Sequence, residues 1–146
     1  MKKKIMLTIS TVIVLVLTCA LLCACIPSDY KDAADNLEDN GYTVTTVTGK
    51  SDNALGSLMG GVSMATVKAG VVAAIGEMKG DIDAYLVALK DDAGCSILYF
   101  TDSADAKAWY EYSKTEAEKA EEEGAVVKKS GKVVFIGTED SYKAVR

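Results

Sequence analysis

Four cysteines, twenty-one carboxylates and no histidine bound the chemistry open to this chain of 146 residues. Three of the thiols, Cys19, Cys23 and Cys25, fall within the short stretch "CALLCAC", a spacing open to metal ligation, disulfide formation or acylation. The fourth, Cys95, opens the apolar run "CSILYF". The absence of histidine removes the commonest general base and the usual catalytic zinc sites. Cys95 has Lys90 as its nearest lysine in sequence and reads as a small buried side chain; exposed, it would be prone to intermolecular pairing. Carboxylates gather at Asp29, Asp32, Asp35 and Asp39, at Asp91-Asp92, and at Glu121-Glu122-Glu123. A Ca²⁺ site needs several oxygens converging on one point; none of these groups has EF-hand spacing, and they read as solvated faces and turns. Gly56-Ser57-Leu58-Met59-Gly60-Gly61 is glycine-rich but lacks the Gly-Lys-Ser/Thr ending of a phosphate loop. The expectation is a chain with no catalytic residues, no metal and no cofactor.

The positions of the first three cysteines depend on what surrounds them. Lys2, Lys3 and Lys4 precede an uncharged run from Ile5 to Leu22, the form of a secretory signal with a basic n-region and an apolar h-region. The run is near the lower limit for spanning a bilayer, so length alone leaves a cleaved signal and an uncleaved anchor both open. Either places the remaining chain outside the cytoplasm, because the lysines stay inside.

At the end of that run, Leu22-Cys23-Ala24-Cys25 resembles the lipobox of bacterial lipoproteins. The resemblance implies that the Cys25 sulfur receives diacylglycerol and that signal peptidase II cuts between Ala24 and Cys25. Cys19 and Cys23 would then leave with the signal peptide. The implied division is a signal peptide over 1–24, a lipidated N-terminus and short linker over 25–28, and a single extracytoplasmic domain over 29–146. Two acyl chains hold a protein stably to a membrane where one does so only marginally. Residues 1–24 contain three lysines and no acid, so their removal takes the formal charge from −5 to −8. Such an acid excess disfavours nucleic acid and anionic surfaces as partners. Beyond the lipobox, the domain resembles the small exported lipoproteins of unassigned function found in bacteria.

The elements that follow are legible from periodicity. A helix fits 29–39, with Tyr30, Ala33, Ala34 and Leu37 on one face and Asn40-Gly41 as its stop. "YTVTTVTG" over 42–49 is β-branched and reads as a strand. Residues 53–79 follow helical spacing interrupted by glycines, predicting one loose helix or two short ones. Strands at 81–90 and 95–100 flank the turn "DDAG". A long helix is predicted over 103–123, capped by Asp102 or Ser103, with Ala106, Tyr110, Ala117 and Ala120 inward. "AVVKKSGKVVFIG" over 125–137 turns at Ser130-Gly131, and Thr138 caps a last helix ending at Val145. The predicted class is α+β, in the order α-β-α-β-β-α-β-β-α: a mixed five-stranded sheet with helices mainly on one face. The first strand, central helix and second strand would form a right-handed crossover.

The segment 54–78 is the leading functional stretch, because Lys68 is its only charge between Ala54 and Ile75. It reads as a closely packed core helix, as an apolar surface for a ligand or partner, or as a second span, the last opposed by Lys68 at mid-bilayer. The residues singled out for a ligand or partner surface are Leu58, Met59, Val62, Met64, Lys68 and Trp109. The reading that follows is a non-enzymatic binding module anchored by lipid to the extracytoplasmic face of the cell membrane, its partner a protein or an apolar ligand and not nucleic acid. The alternative is a carrier or chaperone for an apolar ligand, using 54–78.

Overall fold

The computed structural model describes residues 25–49, 62–120 and 124–146. Expectations on Leu22, Cys23, Ala24, Leu58, Met59 and the glutamates at 121–123 lie outside the described residues.

Nine elements follow in the expected order: α1 (Tyr30–Asp39), β1 (Thr43–Thr48), α2 (Met64–Ile75), β2 (Ile82–Lys90), β3 (Ala93–Phe100), α3 (Ser103–Lys119), β4 (Ala125–Ser130), β5 (Val133–Thr138) and α4 (Glu139–Val145). Local chemistry sets their boundaries. The Asp29 carboxylate accepts from the Lys31 amide at 2.9 Å to start α1, and Gly41, at φ 83°, turns the chain into β1. The side chain of Asp102 caps α3. Thr138 and Ser141 form a capping box at α4. The β2–β3 turn is tighter than "DDAG" suggested: Lys90 already faces Ala93 across two residues, with Asp91 at φ 49°.

The sheet runs β1-β2-β3-β5-β4 and every neighbouring pair is antiparallel. This corrects the mixed sheet and the parallel crossover. Thr43 faces Leu89 and Thr48 faces Ala84, so β2 begins at the end of the sheet where β1 finishes. The intervening chain therefore has no need to recross the sheet's length.

The placement of helices mainly on one face is corrected too. Helices α1 and α4 cover one face with Ala33, Leu37 and Val145, against Leu86, Cys95, Ile97, Tyr99 and Phe135. Helices α2 and α3 cover the other with Met64, Val71 and Ala106, against Ile82, Leu98, Phe100 and Val134. The cause is in the strands. In β3 and β5, consecutive residues are apolar (Ile97, Leu98, Tyr99, Phe100; Val133, Val134, Phe135), and successive side chains point to opposite faces. Strands apolar on both faces must be covered on both. The result is three layers, helix–sheet–helix.

Strand alignment gives the molecule two poles. One gathers residues 25–30, the end of β1, the start of β2, the end of β3 and the β4–β5 turn. The other gathers the α1–β1 junction, the β2–β3 turn and the start of α4.

Candidate functional site

The first pole is built around the N-terminal residues. Ile26 is 3% exposed and packs in the α1/α4 core. The Tyr99 hydroxyl donates to the Pro27 carbonyl at 3.1 Å, and the Tyr30 ring meets Tyr99 edge-on at 6.2 Å. Burial, followed by the nearby Asp29 and Asp32 carboxylates, raises the Tyr99 phenol above its ordinary range, so it stays protonated and able to donate. Cys25 is exposed. Within the stretch read as a short linker over 25–28, the chain is therefore tied into the core from Ile26 onward.

Beside these residues lies a cleft of about 870 Å³, with Asp29, Tyr30, Lys68, Asp81, Asp83 and Lys132 among its lining and Tyr99 and Phe100 behind them. Lys68 pairs with Asp81, and the Asp81 carboxylate also accepts from the Ile82 amide at 2.7 Å. The Lys68 hydrogen bond, then the Ile82 amide, holds the Asp81 carboxyl below the usual carboxylate range. The start of β2 is fixed by a second carboxylate. Asp105 is 3% exposed and accepts from the Lys79 amide at 2.9 and 3.1 Å and from the Gly80 amide at 2.8 Å. Gly80 has no room for a side chain: a Cβ there would lie 2.5 Å from Thr101 Oγ1 and 2.8 Å from Asp102 Cβ. Sequence reading assigned the cap of α3 to Asp102 or Ser103 and missed Asp105. An acid in the first turn of a helix was the available signal, but nothing in sequence pairs it with amides 25 and 26 positions away.

The residues singled out in sequence separate in space. Met64, at 2% exposure, and Val71 are spent on the core between α2 and α3. Val62 is 40% exposed. Lys68 turns to the cleft through Asp81. Trp109 is half-buried on α3, stacked on Tyr112 at 5.6 Å, and is not among the residues that line the cleft. The outer face of α2, with Ala65, Ala69, Val72 and Ala73, is exposed and apolar. Ala106 and Tyr110 face inward as expected, Ala117 is half-buried outside the core clusters, Ala120 is exposed, and Asp105 and Ser113 join the buried face of α3. Cys95 is buried, and burial pushes its thiol up to about 11, which withholds the thiolate a nucleophile requires.

At the opposite pole, a second cleft of about 550 Å³ is lined by Lys90, Asp91, Asp92, Thr138, Asp140 and Lys143, among others. Lys90 is committed there: its ammonium donates to the Asn40 carbonyl at 2.7 Å and lies over the Tyr42 ring. Among the described residues, no three thiol or carboxylate side chains converge as metal ligands, and no helix is long and apolar enough to cross a membrane. Comparison of the chain with protein-family models, with curated proteins and with solved structures finds no match.

Proposed function

We propose that the chain is a lipid-anchored, non-enzymatic binding module on the extracytoplasmic face of the bacterial cell membrane, attached through Cys25. The observation that carries the reading is the coincidence of motif and fold. The lipobox cysteine is exposed, and the very next residue, Ile26, is buried in the core. A chain cut before Cys25 would therefore keep Ile26 and the core it packs in, and the exposed Cys25 sulfur is accessible to an acyl group.

Two nucleophilic side chains are withdrawn from solvent. The Cys95 thiol is buried and raised. The Ser141 hydroxyl is 0% exposed and held within hydrogen-bonding distance of the Gly94 and Thr138 carbonyls at 3.0 and 2.9 Å. Neither side chain is positioned to attack a substrate arriving from solvent. The alternative is a carrier of apolar ligands through 54–78; among its described residues Met64 and Val71 are committed to the core, and the outer face of α2 is the exposed apolar surface.

The test is substitution of Cys25 by Ser. The unaltered chain should partition into detergent at the mature size, and Cys25→Ser should leave an unprocessed, unlipidated precursor. Quantitative partitioning of the mutant at mature size would refute the anchor.

A further inference from the structure

We propose that the pole carrying Cys25 is a bilayer-docking surface: the domain sits on the phospholipid headgroup layer in one orientation, with the cleft around Lys132 and Tyr30 facing the lipid. The inference rests on the anchored reading above and adds to it an orientation and a partner, the headgroup layer itself.

The first argument is where the chain outside the domain ends. Residues 1–24 lead directly to Cys25, and Ile26 is already 3% exposed, with Pro27 held by Tyr99. One extended residue reaches about 3.5 Å, so attachment at Cys25 brings this pole to the headgroups and leaves little freedom to swivel. A flexible leash of many residues would impose no such constraint.

The second argument is the contrast in charge between the poles. Around the first cleft, Lys68 neutralises Asp81, the exposed carboxylates Asp29 and Asp83 remain, and Lys132 in the β4–β5 turn adds an ammonium at the rim. Lys129, exposed near the end of β4, adds another just behind that turn. At the other pole, Glu38, Asp39, Asp91, Asp92, Glu139 and Asp140 are all exposed, and Lys90 and Lys143 offset only two of them. An anionic membrane repels the second set, with its larger acid excess, more strongly than the first, within a Debye length of about 8 Å. Lys132 suits a lipid phosphate, and Tyr30, half-buried with a polar tip, is the amphipathic type that favours the headgroup level.

The test uses the full chain, purified from its membrane and reconstituted in phosphatidylethanolamine–phosphatidylglycerol vesicles containing a headgroup nitroxide lipid. Asp83→Cys and Asp92→Cys each place a fluorescent maleimide at one pole and each remove one carboxylate; Cys95 is buried and acylation blocks Cys25. Strand β2, nine residues long, separates the poles by about 30 Å. Quenching at position 83 should exceed that at 92 severalfold, since contact quenching does not reach across such a distance. Insertion of about ten Gly/Ser residues between Cys25 and Ile26 should abolish the difference. Equal quenching without the insertion, or an unchanged difference with it, overturns the proposal. The intact mass of the same sample separates the two claims. Equal quenching of a lipidated chain refutes the orientation alone. An unlipidated mass refutes the anchored reading and, with it, the orientation that rests on it.

Discussion

Among the described residues, the layer formed by α1 and α4 leaves no buried side-chain polar atom without a partner, whereas α3 in the opposite layer leaves two, Trp109 Nε1 and Ser113 Oγ. In the first layer, the Asn36 and Asn40 amides donate to the Val145 and Ala144 carbonyls at 3.0 and 3.3 Å, joining α1 to α4. Ser141 ties α4 to the start of β3 through the Gly94 carbonyl. In the second layer, Asp105 fixes one loop and Lys68 pairs with Asp81 in the open; beyond these, α2 and α3 meet the sheet through apolar contacts, with small residues on the outer face of α2. Hydrogen bonds have directions and specify a single arrangement, while apolar packing is more permissive. The layer that holds Ile26, next to Cys25, is the one whose geometry is specified.

Four substitutions sharpen that contrast. The largest effect is expected at Gly137, where β5 crosses the α1/α4 face opposite Cys95. A Cβ there would lie 2.5 Å from Cys95 Cβ and 2.6 Å from the Gly94 carbonyl oxygen. Because backbone cannot yield cheaply, Gly137→Ala should cost about 3 kcal/mol, measured by urea unfolding. Ser141→Ala, in the same layer, strands the Thr138 amide, which donates to Ser141 Oγ at 3.1 Å, and should cost about 2 kcal/mol. The same exchange across the sheet should have the opposite sign. Ser113 Oγ is buried without a partner, so Ser113→Ala should be neutral or stabilise by up to about 1 kcal/mol. A loss of 2 kcal/mol or more at Ser113 would show that the second layer is as specified as the first.

The smallest effect is expected at Lys68. Its pair with Asp81 is well exposed, at 39% and 57% of the two side chains, so Lys68→Glu should cost about 0.5 kcal/mol. The sign with pH is fixed by the direction of the shift. The Asp81 carboxyl titrates below its ordinary value in the fold, so its contribution is present above the ordinary carboxylate pKa and is lost as pH falls through the folded one. In Lys68→Glu the Asp81 carboxyl should titrate higher, followed by carboxyl-carbon NMR. An unmoved titration would mean that Lys68 does not hold it.

Much of the fold was legible in the residues. The caps at Asp29, Asp102 and Thr138 and the stop at Asn40-Gly41 are local signals read from neighbours in sequence. The both-faced character of the sheet was also present, in the unbroken apolar runs of β3 and β5, and was passed over in favour of helices on one face. The antiparallel pairing of β1 with β2 was not legible, because strand direction depends on where the intervening chain returns. Of the site, Lys68 was identified, but its partner Asp81, thirteen positions on, was not. Asp105 could not be distinguished from an ordinary first-turn acid without knowing that Lys79 and Gly80 come to it. The burial of Ile26 was hidden for a different reason: a lone apolar residue next to Pro27 has no periodicity to read.

The central claim, attachment through Cys25 at the first residue of the domain, is tested most directly by the intact mass and N-terminal peptide of the protein extracted from its own membrane. The account predicts a chain beginning at Cys25 with a diacylglyceryl group on the sulfur. A peptide that runs unbroken through Ala24 and Cys25, with the thiol unmodified, would contradict it.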